Sequence, residues 1–329
     1  MEPAHSTASP PFAFEARDRC PACRSAASDE VYSTPFDAGG IGSFMRDYYH
    51  IDPTILRQAP YELRRCVVCG LVYQRYVGDA GLLNELYSRW VEEPKDPERD
   101  IDSYRSELQA IPQSRDAHEL MAAASYLGRP LKGLKTLDYG MGWALWARVA
   151  ARIGCDSFGS DLAPPRMEYA ARHGVRTVTD EEIPDHRFHF INTEQVFEHV
   201  PDPLALLERL ASALAPGGVV KISVPSGERV DALLEMLRSG AYRGDRDSVM
   251  PVLPLEHVNC FSRASVRTMA NRAGLEEFRP GPWHGYAFLR RWGTIPLSRP
   301  KKATKELVRP FYQYRNPANI YVWLRRRAV

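Results

Sequence analysis

Leu137-Asp138-Tyr139-Gly140-Met141-Gly142-Trp143-Ala144 joins a short apolar run, Leu134–Asp138, to a helix predicted over 144–153. Glycines at such a strand-to-helix junction let the backbone approach a ligand closely. The alternation continues outward from it. Ser157–Asp161, Val175–Val178, Phe188–Thr193 and Gly218–Val224 read as strands, and 164–173 and 203–214 as helices. Repeated β/α order predicts an α/β domain, a mostly parallel, doubly wound sheet with helices on both faces. Ligands in such sheets bind at the carboxyl ends of the strands, and the glycine junction lies at one of these ends.

Asp161 lies 23 residues after Asp138, at the end of the second strand, where a carboxylate can accept from both hydroxyls of a ribose. Asp180 follows the third strand. The fourth opens the run Phe190-Ile191-Asn192-Thr193-Glu194-Gln195-Val196-Phe197-Glu198-His199-Val200-Pro201-Asp202-Pro203, and Leu214-Ala215-Pro216-Gly217-Gly218 precedes the fifth. In order and spacing, residues 131–280 resemble class I S-adenosylmethionine-dependent methyltransferases. Ala144 replaces the third glycine of that family's first motif, and His189 stands where the family commonly has Asp. A dinucleotide fingerprint would need Gly or Ala where Leu145 stands.

The resemblance implies a Rossmann-like seven-stranded sheet with its last strand antiparallel, formed here by Ile320–Leu324. It also implies S-adenosylmethionine as cofactor. Asp138 would hold the methionine amino group, Gly140 and Gly142 would shape the turn, and Asp161 would take the ribose. Asp180 would meet the adenine edge, and Glu194 and Gln195 would face the cofactor.

Cys20-Pro-Ala-Cys23 and Cys66-Val-Val-Cys69 are two CxxC knuckles. Two such pairs complete a tetrahedral four-thiolate site, which favours zinc or an iron–sulfur centre. A long insertion separates them, containing Gly39-Gly40-Ile41-Gly42 and the aromatic patch Phe44 to Tyr49. Loop closure grows only logarithmically with length, so the insertion costs roughly 1 kcal/mol. Binding of a structural zinc is worth on the order of 10 kcal/mol. The segment Tyr61 to Tyr73, followed by Leu86-Tyr87, resembles the zinc-ribbon arm ahead of some bacterial methyltransferases of sugar and secondary metabolism. Three segments are expected: a zinc-ribbon arm over 1–80, a helical linker over 81–130 (helices at 81–90 and 103–127), and a methyltransferase domain over 131–329 with an acceptor lid at 226–262.

Methyl transfer from a sulfonium needs an aligned acceptor and, for a hydroxyl or carbon acid, a base; histidine is the natural one near neutral pH. His199, His257 and His284 are candidates. Glu256-His257 resembles the Glu-His pair of zinc-ribbon sugar C-methyltransferases, with Pro254 where those carry Tyr. His257 is read as base and Glu256 as its orienting partner. Glu198 and His199 are read as the start of a helix, serving in capping or in chemistry.

The chain has 329 residues, 43 basic and 41 acidic, a formal net charge of +2. That balance gives no global case for a nucleic-acid binder. Residues 299–329 carry nine basic residues and one acidic, a charged edge or a patch for an anionic acceptor or surface. No apolar run is long enough to span a membrane and no secretory leader is visible, which points to the cytoplasm. The expected partner is a small-molecule acceptor: a sugar, a nucleotide sugar or a natural-product intermediate, methylated on O or C. An RNA methyltransferase using the ribbon as a grip, and a non-catalytic scaffold, are the alternatives.

Overall fold

The computed structural model describes residues 12–91, 108–111, 114–241, 246, 249–292, 308 and 317–327. The charged segment 92–100, residues 103–107 and 112–113 of the helix expected over 103–127, and most of the basic tail lie outside them. The chain divides into two compact units, Met1–Glu93 with Gly227–Ser265, and Pro94–Ser226 with Val266–Val329.

The second unit holds one seven-stranded sheet. Its strands are β1 Lys135–Tyr139, β2 Asp156–Ser160, β3 Arg176–Thr177, β4 Phe188–Glu194, β5 Leu214–Pro225, β6 Leu275–Phe278 and β7 Asn319–Arg326. They lie in the order β6-β7-β5-β4-β1-β2-β3. β7 runs antiparallel to both its neighbours, and β1 to β5 pair in parallel. The helices are α1 Arg115–Tyr126, α2 Leu145–Arg152, α3 Pro164–Arg172, α4 Pro203–Ser212, α5 Arg263–Arg272, whose first turn falls in the other unit, and α6 Ala287–Trp292.

Register explains where this sheet changes character. Thr136, Phe190 and Val219 stand side by side on β1, β4 and β5, and Phe190 and Val219 join the core formed with α1 and α2. One step of two residues toward the carboxyl ends, the same face carries Asp138, Asn192 and Lys221, with Trp323 beside them on β7. The next step carries Glu194, Ser223 and Tyr321. Side chains alternate across a strand with period two, so an apolar face becomes polar as it nears the ligand-binding edge.

The first unit is built on a four-stranded sheet in the order Asn259–Cys260, Val72–Gln74, Pro60–Cys66, Ser28–Pro35, antiparallel throughout. Phe44, Tyr49, Leu56 and Tyr61 pack there with Leu82, Leu86, Leu234 and Val252. The Cys23–Cys66 insertion is thus core-forming rather than a bare loop, with a helix at Gly39–Asp47.

These units cut across the three expected segments. Leu82 and Leu86 belong to the first unit's core, whereas Ala117 and Leu120 belong to the second's. Residues 227–265 join the first unit because Asn259–Cys260 extends its sheet and Val230, Leu234 and Leu237 feed its core. Glu198 and His199 sit in a turn, not at a helix start. The helix begins at Pro203, capped by Asp202 Oδ1 accepting from Ala205 N at 3.0 Å, because proline is favoured in the first turn and Asp before it. Among the described residues no helix is long and apolar enough to cross a membrane.

Candidate active site

The glycine junction after β1 has backbone that L side chains resist. Gly140 has φ 66°, and a Cβ there would lie 2.5 Å from Val196 Cγ2. Gly142 has φ 53°, and a Cβ there would meet nothing within 4 Å. Its amide donates to Asp161 Oδ2 at 2.9 Å. Asp161 Oδ1 accepts from Ala163 N at 3.0 Å, and Arg166 lies 3.3 Å away. The acid after β2 is therefore tied to the turn after β1. An open, glycine-lined turn beside a fixed carboxylate suits a nucleoside bound edge-on to both strand ends.

Asp138 is turned into the fold. It is 4% exposed, accepting from Asn192 Nδ2 at 2.7 Å and from Ala147 N at 3.3 Å. Burial pushes its carboxyl up to about 7 against those hydrogen bonds. It thereby links the first turn of α2 to β4, beneath the glycine turn. Asp180 accepts from Tyr139 OH at 3.1 Å and Arg209 Nη1 at 2.7 Å. Gln195, at φ 55°, donates its amide to Ser223 O at 2.8 Å. His189, the family departure, accepts from Lys135 N at 2.9 Å, level with the amino end of β1. It lies at the opposite end of the strands from the glycine turn.

Glu194 closes the carboxyl end of β4 between two cations. Its Oε1 accepts from Arg115 Nη2 at 2.9 Å and its Oε2 from Lys221 Nζ at 2.5 Å. Burial alone would raise this carboxyl, but Lys221 and Arg115 outweigh it and hold it below the usual range. Lys221 is 0% exposed and also donates to Glu119 Oε1 at 3.0 Å, an oxygen shared with Trp146 Nε1 at 3.2 Å. Burial disfavours the ammonium, yet Glu119 and Glu194 more than compensate and keep it charged. Effective desolvation of a buried ion costs several kcal/mol, so this network concentrates a large electrostatic cost in one place.

Glu198 is 1% exposed, and neither carboxyl oxygen has a hydrogen-bond partner among the described residues. Burial pushes it up to about 8. His199 Nε2 lies 4.0 Å from Glu198 Oε1.

The first unit holds the other candidates. Cys20, Cys23, Cys66 and Cys69 are buried, and their sulfurs lie within 4.8 Å of one another. Cys20–Cys69 and Cys23–Cys66 are each 3.5 Å apart, too far for disulfides. Four converging sulfurs with no competing ligand type fit a tetrahedral thiophilic ion. Glu256 and His257 also belong to this unit, 4% and 3% exposed. Glu256 Oε1 accepts from Tyr49 OH at 2.9 Å, and burial raises the carboxyl despite that bond. Gln74 Nε2 donates to Leu253 O at 2.9 Å and to His257 O at 3.0 Å. Leu255, at φ 68°, holds the bend between them.

Residues 104–277, just over half of the chain, match the family model for the methyltransferase domain. The chain belongs to this methyltransferase family. Its seven-stranded sheet order and glycine junction agree with those of class I S-adenosylmethionine-dependent methyltransferases. It is 36% identical over 104 residues to the ubiquinone biosynthesis O-methyltransferase of Cereibacter sphaeroides, covering 29% of this chain and 42% of that one. The corresponding enzyme of Azorhizobium caulinodans is 38% identical over 105 residues, with the same coverage. The chain thus spans about two-fifths of the length of these relatives. Magnesium protoporphyrin IX methyltransferase of Synechocystis, solved with bound SAH, aligns at 14% identity and a TM-score of 0.44, covering 76% of this chain and 100% of that one.

Sequence reading missed four polar groups of these sites. Lys221 left one signal, a lone charge inside the run Val219-Val220-Lys221-Ile222. Arg115, Tyr49 and Gln74 left none, because each finds its partner far along the chain.

Proposed function

We propose that this enzyme methylates an oxygen of a small molecule and that its four cysteines hold a structural zinc. The observation that carries the cofactor site is the Asp161–Gly142 bond, which fixes the strand-end acid against the open glycine turn. Asp161 would take the ribose hydroxyls in exchange for its two long contacts with Arg166 Nη1, at 3.3 and 3.4 Å, while the Gly142 and Ala163 amides hold it in place. Arg115 and Glu194 form a pair of opposite charge with side chains 43% and 28% exposed. Such a pair complements an amino-acid zwitterion: the guanidinium takes the carboxylate, and Glu194, rather than the buried Asp138 to which the resemblance gave the amino group, takes the ammonium. Asp180 is assigned to the adenine edge. The bound cofactor supplies an activated methyl group.

The acceptor must lose a proton as its oxygen attacks. His257 is assigned as the general base, oriented by Glu256, whose own carboxyl is fixed by Tyr49. O-methylation is favoured over C-methylation by the O-methyltransferase relatives and by Pro254 at the position where sugar C-methyltransferases carry Tyr.

The test is calorimetric titration with S-adenosylmethionine, followed by transfer of a labelled methyl group to panels of phenols, sugar nucleotides and RNA. Asp161→Ala should weaken cofactor binding at least tenfold, about 1.4 kcal/mol. His257→Ala should abolish turnover on the accepted substrate while leaving cofactor affinity intact. Unchanged affinity in Asp161→Ala would refute the ribose assignment, and label entering RNA alone would refute the small-molecule reading.

A further inference from the structure

We infer that Lys221 is a positioning residue of the cofactor site, fixing through Glu194 the carboxylate that takes the cofactor's α-ammonium group. The inference rests on the cofactor reading given above and extends it to a residue one layer deeper. Lys221 occupies the middle of β5, where Val219, Val220, Ile222 and Val224 are all 0% exposed. A strand needing only to pack would carry an apolar residue there, since a well-packed apolar side chain avoids the desolvation of a buried charge. The ammonium is instead retained, and its contacts show the direction in which it acts. Glu119 of α1 balances its charge from within the core, at 2% exposure. Glu194 is the more exposed partner, at 28%, one pleat nearer the carboxyl ends of the strands.

The geometry at Glu194 is two-point. One oxygen takes Arg115 and the other takes Lys221, so the carboxylate plane cannot rotate. Each oxygen keeps a second lone pair. A carboxylate locked in plane can meet an ammonium without first being ordered, which is where preorganised charge has its value. With Arg115 alone, the same carboxylate would be tethered through one oxygen and free to swing.

Several titratable groups share the network that includes Glu194. Arg115, Asp116 and Glu119 come from α1, Asp138 from β1, Lys221 from β5, Tyr321 from β7, and Glu198 from the turn after β4. Asp116, Asp138 and Glu198 titrate near 6, 7 and 8. Removing Lys221 and Glu119 also moves Asp116, and removing Lys221 moves Asp138, so the comparison of two ligands, rather than a pH profile, isolates Glu194.

The test uses the full-length protein and the double variant Lys221→Met with Glu119→Gln. It removes the ammonium without leaving a buried carboxylate unpaired, and the amide oxygen that replaces the Glu119 carboxylate can still accept from Trp146. S-adenosylmethionine and 5′-methylthioadenosine, which lacks the amino-acid end, are titrated against each protein. The double variant should bind S-adenosylmethionine at least tenfold more weakly while 5′-methylthioadenosine binds within about twofold of wild type. Its ligand-free melting temperature should equal or exceed the wild-type value. Should the double variant lose its cooperative melt, Lys221→Met alone carries the same comparison of the two ligands. Equal affinity for S-adenosylmethionine in variant and wild type would overturn the inference, as would parallel loss of both ligands. Wild type failing to bind S-adenosylmethionine would refute the cofactor reading itself, a different result.

Discussion

Glu198 and Asp138 are carboxyls that the fold holds away from water, and the sign of their pH dependence follows from that. The folded-state pKa of Glu198, about 8, lies above the ordinary carboxylate value because burial penalises the charged form. Such a group contributes its full stability below the ordinary carboxylate range. That stability is lost progressively as pH rises to about 8, because the unfolded chain ionises while the native state resists. Glu198→Gln removes the ionisable group and keeps the shape. The melting-temperature advantage of this variant over wild type should therefore widen from about pH 5 to about pH 8, reaching at least about 3 °C, and stay flat above. A gap independent of pH would show that Glu198 is not held neutral. Asp138 behaves with the same sign but a lower midpoint, about 7, because Asn192 and the Ala147 amide stabilise its charged form. Glu194 has the opposite sign, since Lys221 and Arg115 hold it below the usual range.

At the scale of elements, the two sites are shaped by different devices. In the second unit it is the turn after β1, where φ values of 66° and 53° at Gly140 and Gly142 expose the backbone. In the first unit it is a clamp. Gln74, 1% exposed, donates to Leu253 O and His257 O, and Tyr61 OH donates to Val252 O. Arg17 donates to Val258 O at 2.6 Å and to Asn259 Oδ1 at 2.9 Å. Gln74→Ala leaves two buried carbonyls without these donors and should cost about 2 kcal/mol, read as a lower urea midpoint. Limited proteolysis should then cut faster within residues 249–258, and an unchanged cleavage rate would refute the clamp. The β/α elements were legible because their periodicity is local. The helix expected over 164–173 is Pro164–Arg172, and the strand expected over 188–193 is Phe188–Glu194. The helix expected over 203–214 is Pro203–Ser212; only the reading of Glu198 and His199 as a helix start failed, because Asp202 and Pro203 form the stronger start signal.

At the scale of the whole molecule, the two units should answer to different ligands. We expect about one zinc per chain by metal analysis of freshly purified protein. A chelator should lower the melting transition of the unit carrying the four cysteines, and S-adenosylmethionine should raise that of the unit carrying the seven-stranded sheet. A chelator that moves neither transition would sink the metal assignment. The +2 net charge conceals a tail segment, residues 299–329, that is strongly basic. Within its described end, Arg325, Arg326 and Arg327 bond to Glu276, Ala211 O and Asn271. By itself the sequence determined the parallel sheet, the glycine junction, the strand-end acids and the paired cysteines, since each is written in spacings of a few residues. Only the tertiary structure decided that Lys221 meets Glu119 at a separation of 102 residues, that Tyr49 meets Glu256 at 207, and that Asn259–Cys260 extends the sheet of Val72–Gln74. Those contacts depend on which distant surfaces the collapsed core brings together, and no local pattern carries that information.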